Sequence, residues 1–336
     1  MASFRLSLAL VGLYASQALA SCAHGTMLLR RAEAGEKPAF GYTGNIGPMN
    51  WANLAEANAL CSTGTNQSPI DMVNGVFNVI PGSSLNLKIP DMSNGTAFEN
   101  LGTTVEVIAE QGGSMSVGGT DYTLRQFHFH LPSEHLDAGT SMAMEMHMVF
   151  ESADAKLAVI GTYIGIDEAS GATPAPPTAT EAPATPAEKR ALPRFNRRKS
   201  VAEEKYKRAA AIMGSTPIDA KVAASPLLET VLTNVKSIPT AGTTVRTPPL
   251  VMSEVVSLLS AGSFQSYMGS LTTPPCSEGV QWLVSTQKLS VKASTFVGVR
   301  DVVGFNSRFT QNAPGEPNVL QFARGGAATA PAAPAA

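Results

Sequence analysis

Five histidines occur in the chain, and four of them, His128, His130, His135 and His147, fall within one short stretch. In Gln126-Phe127-His128-Phe129-His130 the two imidazoles stand at i and i+2. Alternate side chains of an extended strand leave the same face, so both histidines share a face while Phe127 and Phe129 enter the other. The run Met142 to Phe150 alternates in the same way and puts Glu145 and His147 on a common face, with its methionines read as core. A neighbouring strand that presents His147 to the other two would complete a three-histidine zinc site. Three protein ligands leave the fourth tetrahedral position open, which separates a catalytic zinc from a closed structural one. Gln126 and Glu145 each stand two residues before a histidine on its own face, where they can accept from the second ring nitrogen and fix the tautomer. An isolated His-x-His is weak as a signal; the combination is what points to a metal. His135 follows Leu131-Pro132, beyond the strand end, and is expected to make structural hydrogen bonds.

The elements that must position these residues are strands. From Phe40 to Gly165, short apolar runs such as Thr104-Val105-Glu106-Val107-Ile108 and Asp121 to Phe127 alternate with Gly, Asn, Pro and Ser clusters. Residues 167–215 differ. An Ala/Pro/Thr-rich stretch gives way to a basic run through Lys189-Arg190, Arg197-Arg198-Lys199 and Lys207-Arg208, which reads as a mobile surface insertion open to proteolysis. After it, Leu227 to Asn234 and Val251 to Leu259 carry helical spacing. The tail, residues 325–336, is low-complexity and reads as disordered.

Arg5, an apolar run from Leu6 to Leu13, and Ala18-Leu19-Ala20 together describe a secretory signal peptide over residues 1–20. Residues 21–31 end in the dibasic pair Arg30-Arg31 and read as a propeptide whose removal discards Cys22 and leaves Cys61 and Cys276. An exported protein can oxidise that pair, although spacing alone does not bring two Cα atoms within reach. No later segment has the length of a membrane span. A net charge of -2 gives no electrostatic reason to expect a nucleic-acid partner. Asn94-Gly95-Thr96 is a glycosylation sequon. Nothing in the sequence specifies an oligomeric state.

Gln126 to His130, Ser133-Glu134-His135 and Glu145 to Val149 resemble the metal-binding signature of the α-class carbonic anhydrases, in particular secreted, fungal-type members. Phe40-Gly41-Tyr42 with Trp51, Asn66 to Asp71, Leu157 to Gly161, Gly269 to Glu278 and Asn306-Ser307-Arg308 occur in the family's order. The resemblance implies a mainly β single domain over residues 38–324, with a large twisted, mostly antiparallel central sheet and short peripheral helices. It further implies Zn2+ on His128, His130 and His147, and reversible hydration of carbon dioxide to bicarbonate. Thr272 resembles the threonine that orients the nucleophile and passes its own proton to Glu134. Asn306 joins Gln126 and Glu145 behind the ligands. Val149, Val159, Leu271, Val280 and Trp282 match the apolar wall that holds carbon dioxide, and Thr273 the residue beside bicarbonate. Cys61 and Cys276 match a disulfide of secreted members. Fast relatives carry a proton-shuttling histidine where Asn100-Leu101-Gly102 is followed here by Thr103. The alternatives are a catalytically silent binding module on the same fold, against which the retained histidines, Thr272 and Glu134 weigh, and a zinc esterase. A helical His-Glu-x-x-His protease motif is absent.

Overall fold

The computed structural model describes residues 39–73, 77–167 and 222–323. The signal peptide, the propeptide, the insertion beyond Asp167 and the low-complexity tail expected from the sequence lie outside the described residues.

Thirteen strands occur among the described residues: β1 (Asp71–Met72), β2 (Asn78–Pro81), β3 (Ala97–Asn100), β4 (Val105–Ile108), β5 (Ser114–Val117), β6 (Thr120–His130), β7 (Leu136–Asp137), β8 (Met144–Ser152), β9 (Leu157–Asp167), β10 (Thr244–Arg246), β11 (Ser263–Ser270), β12 (Glu278–Ser285) and β13 (Leu289–Lys292). Eleven form one sheet in the order β10-β3-β4-β6-β8-β9-β12-β11-β2, with β5 on β6 and β13 on β9. Its pairings are antiparallel except β12 and β13 on β9, and β1 and β7 make a small parallel pair of their own. The mainly β, mostly antiparallel architecture expected from the sequence is therefore what the chain adopts.

Strand β8 lies between β6 and β9, and every residue from Met144 to Phe150 is buried. Both faces are covered, but by different things. Met144, Met146, Met148 and Phe150 join Phe127 and Phe129 of β6 in the main core. That core is closed by α3 (Pro226–Leu232), α4 (Ser253–Ala261) and α5 (Ala293–Val303), which contribute Leu227, Leu228, Val231, Leu232, Val255, Leu259 and Val299. Burying each such side chain stabilises the fold by about 1.5–3 kcal/mol relative to exposure. The earlier helices α1 (Trp51–Leu54) and α2 (Leu60–Thr63) and the final α6 (Val319–Ala323) are a turn or little more each.

A register shift in β6 decides which way the histidines point. Leu124 pairs with Phe150 but Gln126 pairs with Val149, so Arg125 is an extra residue. Tyr122 and Leu124 before the bulge, and Phe127 and Phe129 after it, consequently all reach the main core. Gln126, His128 and His130 are thrown to the opposite face.

Candidate metal centre

His128 stands directly opposite His147 across the β6–β8 pairing, and His130 opposite Glu145. The three rings meet at centroid separations of 5.0 Å (128 to 130), 5.3 Å (128 to 147) and 4.5 Å (130 to 147). One ligand atom from each ring lies within 4.8 Å of the others, and all three residues are buried. One nitrogen of each ring is committed elsewhere: His128 Nδ1 to Gln126 Oε1 at 2.8 Å, His130 Nδ1 to the Asn306 carbonyl at 2.8 Å, and His147 Nε2 to Glu145 Oε1 at 3.0 Å. The opposite nitrogens are those a shared cation would take, and His130 Nε2 is buried with no hydrogen-bond partner. Burial also holds the His130 pKa below its ordinary 6.5, keeping the ring in the neutral form a metal needs. The donor set and its orphaned nitrogen fit a divalent cation.

Gln126 and Glu145 thus stand where the strand spacing put them. The carboxylate of Glu145 is saturated. Its Oε1 accepts from His147 Nε2 at 3.0 Å and His135 Nδ1 at 2.7 Å, and its Oε2 from the backbone N–H groups of Glu134 at 2.9 Å and His135 at 2.8 Å. Burial alone would push its pKa up, but the two imidazoles beside it hold it well below the carboxylate range. His135, Glu145 and His147 are also close enough for a metal, yet the atoms they turn to one another are already hydrogen-bonded, Glu145 Oε1 accepting from both rings. The His135 ring hydrogen-bonds Glu145 on one side and the Tyr267 hydroxyl on the other.

Asn306 does more than hold His130. Its Oδ1 accepts from Leu131 N at 2.7 Å, and its Nδ2 donates to the carbonyls of Phe129 at 2.9 Å and Thr103 at 3.1 Å. Thr103 is therefore tied through the Asn306 side chain to the residue whose backbone carbonyl meets His130. Glu134 Oε1 accepts from Arg308 N at 2.8 Å, while its Oε2 is buried, has no hydrogen-bond partner, and lies 3.5 Å from His130 Nε2 and 3.9 Å from His147 Nδ1. Thr272 is buried, but among the described residues no hydrogen bond joins it to Glu134, because Oε2 faces the imidazole nitrogens instead.

Val149, Val159, Leu271, Val280 and Trp282 gather into one buried apolar cluster. The Trp282 ring is 4.8 Å from that of His147, so the cluster borders the centre. Its Nε1–H is spent on the Ser270 carbonyl at 2.9 Å. Thr273 is buried nearby in sequence with an unpartnered Oγ1. Cys61 and Cys276 form a disulfide with Cα atoms 5.0 Å apart, packed with Phe40 and Trp51.

The residue-by-residue reading assigned no role to Arg308, Tyr267 or Ser68. Arg308 is buried and donates to the carbonyls of Ser68 at 2.7 Å and Cys61 at 3.1 Å, joining the N-terminal segment to Glu134. A charged residue in the quoted Asn306-Ser307-Arg308 run was the available signal. Tyr267 had none, since an aromatic in a strand reads as packing.

Comparison with known proteins gives the family. The family model described as eukaryotic-type carbonic anhydrase matches residues 46–163 and 186–314. A carbonic anhydrase of Neisseria gonorrhoeae is 30% identical over 246 residues, 73% of either chain. The fungal α-carbonic anhydrase of Aspergillus oryzae superposes with a TM-score of 0.67 at 31% identity, covering 85% of this chain and 98% of that one. The α-carbonic anhydrase of Thermovibrio ammonificans, solved with the inhibitor sulfanilamide, gives 0.56 at 26% identity over 81% and 95%. The chain belongs to the eukaryotic-type carbonic anhydrase family.

Proposed function

We propose that this chain reversibly hydrates carbon dioxide to bicarbonate and a proton, using zinc held by His128, His130 and His147. The observation that carries the reading is the set of three buried imidazoles on adjacent strands, each with its other nitrogen already bonded. Zinc in such a set lowers the pKa of water from 15.7 to about 7 and so supplies a nucleophile at neutral pH. The chain's own residues do the rest. Val149, Val159, Leu271, Val280 and Trp282 hold an uncharged substrate by apolar contact, which needs no polar clamp. Thr272 would accept a hydrogen bond from the nucleophile and so aim its lone pair at the substrate, while its own hydroxyl donates a hydrogen bond to Glu134. This pairing rests on the family resemblance of Thr272 and Glu134; Glu134 Oε2 itself is buried, faces His130 and His147, and has no hydrogen-bond partner. Thr273 Oγ1, also unpartnered, receives the bicarbonate product.

We also read the protein as exported. A disulfide suits an oxidising compartment, and no described helix is long and apolar enough to cross a membrane. Asn94 is exposed in a turn, which suits its use as a glycosylation site.

The test is zinc content and stopped-flow carbon dioxide hydration, with and without a chelator, on the wild type and His147→Ala. One zinc per chain, chelator-sensitive hydration and loss of both in the variant are expected. A zinc-free, inactive wild type would mark a silent binding module. Zinc with ester hydrolysis but no hydration would mark an esterase.

A further inference from the structure

A buried line of hydrogen bonds leads away from His147 and plays no part in the reaction described above. It runs from His147 Nε2 to Glu145 Oε1 at 3.0 Å and back out to His135 Nδ1 at 2.7 Å. From His135 Nε2 it reaches the Tyr267 hydroxyl at 2.7 Å, then Ser68 Oγ at 2.8 Å. Ser68 and Ser270 close the end reciprocally, Ser270 N–H donating to Ser68 Oγ at 3.0 Å and Ser68 N–H to Ser270 Oγ at 2.9 Å. Every residue on the line is buried.

The direction of each hydrogen follows from the chemistry of the acceptors. An ionised carboxylate only accepts, so both His147 Nε2 and His135 Nδ1 carry hydrogen. A neutral His135 then has its lone pair on Nε2, and the Tyr267 O–H must donate to it. Ser68 in turn gives its hydrogen to the phenol oxygen and receives one from the Ser270 backbone.

We propose that Tyr267, anchored by Ser68, is a positioning residue for the metal: its hydroxyl fixes the His135 tautomer, which holds Glu145 against His147 and so sets the direction of His147 Nδ1. This rests on the reading of His147 as a ligand. Without the phenol donor, His135 can carry its proton on Nε2 instead. Its Nδ1 lone pair would then face Glu145 Oε1 at 2.7 Å with no hydrogen between them. The backbone N–H groups of Glu134 and His135 hold Oε2, so the tautomer decides what Oε1 faces. Gly161 lies against that oxygen, and a Cβ built on it would come within 2.8 Å of Oε1, so the glycine admits the carboxylate at this position without supplying it a hydrogen bond. Orientation must come from the hydrogen bonds. The tyrosine ring itself stacks on Trp282 with centroids 6.3 Å apart and planes at 11°, contacts that a phenylalanine keeps.

The experiment compares full-length wild type, Tyr267→Phe, Ser68→Ala and His147→Ala. The readouts are the rate of zinc loss to excess chelator and the visible spectrum of the cobalt(II)-substituted protein. Tyr267→Phe should speed zinc loss by roughly ten-fold, the lower end of what partners behind a metal ligand contribute, and should change the cobalt bands. Ser68→Ala, which leaves the ring intact and covers the case of a misfolded phenylalanine variant, should move both readouts in the same direction by less. A wild-type rate and spectrum in the two variants would overturn the proposal, even if their unfolding temperatures fall. If His147→Ala itself keeps zinc, the ligand reading fails instead, so the two failures are distinguishable.

Discussion

Removing the Cys61–Cys276 bond is a perturbation whose size follows from the chain path. Cys61 lies in α2, and Cys276 in the turn between β11 and β12, four residues after Thr272. The bond spans a sequence separation of 215 residues. The loop-closure relation for unfolded chains, linear in the logarithm of loop length, gives roughly 5 kcal/mol for a loop of this size. Both cysteines are buried, and both carbonyls accept hydrogen bonds, Cys61 from Arg308 Nη2 and Cys276 from Gln67 Nε2. Alanine at both positions leaves those backbone bonds in place and introduces no buried hydroxyl. Urea denaturation of metal-free Cys61→Ala/Cys276→Ala against metal-free wild type is the assay, since bound metal would add its own stabilisation to both. A loss of about 3–5 kcal/mol is expected, with a steeper denaturant dependence because the unlooped unfolded chain exposes more surface. A loss under about 1 kcal/mol would refute the entropic argument, and free thiols at both positions in the native protein would refute the bond.

Thr272→Ala should keep its zinc yet lose carbon dioxide hydration on the order of 100-fold, because the nucleophile loses its orientation; unchanged turnover would remove Thr272 from the mechanism. Thr103→His should raise kcat at low buffer and leave kcat/KM flat, since histidine titrates near neutrality and adds only a proton relay. A kcat that is already high and indifferent to buffer would mean that another relay serves. Gly161→Ala puts a methyl 2.8 Å from Glu145 Oε1, so it should cost about 1–3 kcal/mol of stability and weaken zinc retention, measured by denaturation and chelator competition. In the metal-free protein, His130 has a folded pKa below its unfolded 6.5, so its contribution is fully present above pH 6.5 and is lost as pH falls through the lowered value. His130→Gln should therefore flatten the acid limb of metal-free stability, and an identical limb in both proteins would contradict the shift.

Strand alternation is a local property of the backbone, and what depended on it was legible before any fold was known. The period of two put His128 with His130, His147 with Glu145, and Gln126 one step behind, and each residue holds that relation in the structure. The helices after the insertion were visible for the same reason, although helical geometry tightens to a 3-10 turn from Thr233 to Ser237. Cysteine count left one pair once the expected propeptide was set aside, and motif order picked out residues that gather in one apolar cluster. Everything that required closing a distance between remote segments waited for the tertiary structure. The register that sets His128 opposite His147, the Arg125 bulge that turns the histidines away from the main core, and the 5.0 Å approach of Cys61 and Cys276 are all of this kind. So are the Asn306 carbonyl that reaches His130 from 176 residues away and the Tyr267 hydroxyl that reaches His135 from 132. The spacing of a chain dictates which side chains share a face. Which faces meet is decided by how the whole sheet pairs and buries its apolar layers, and that is a property of the fold.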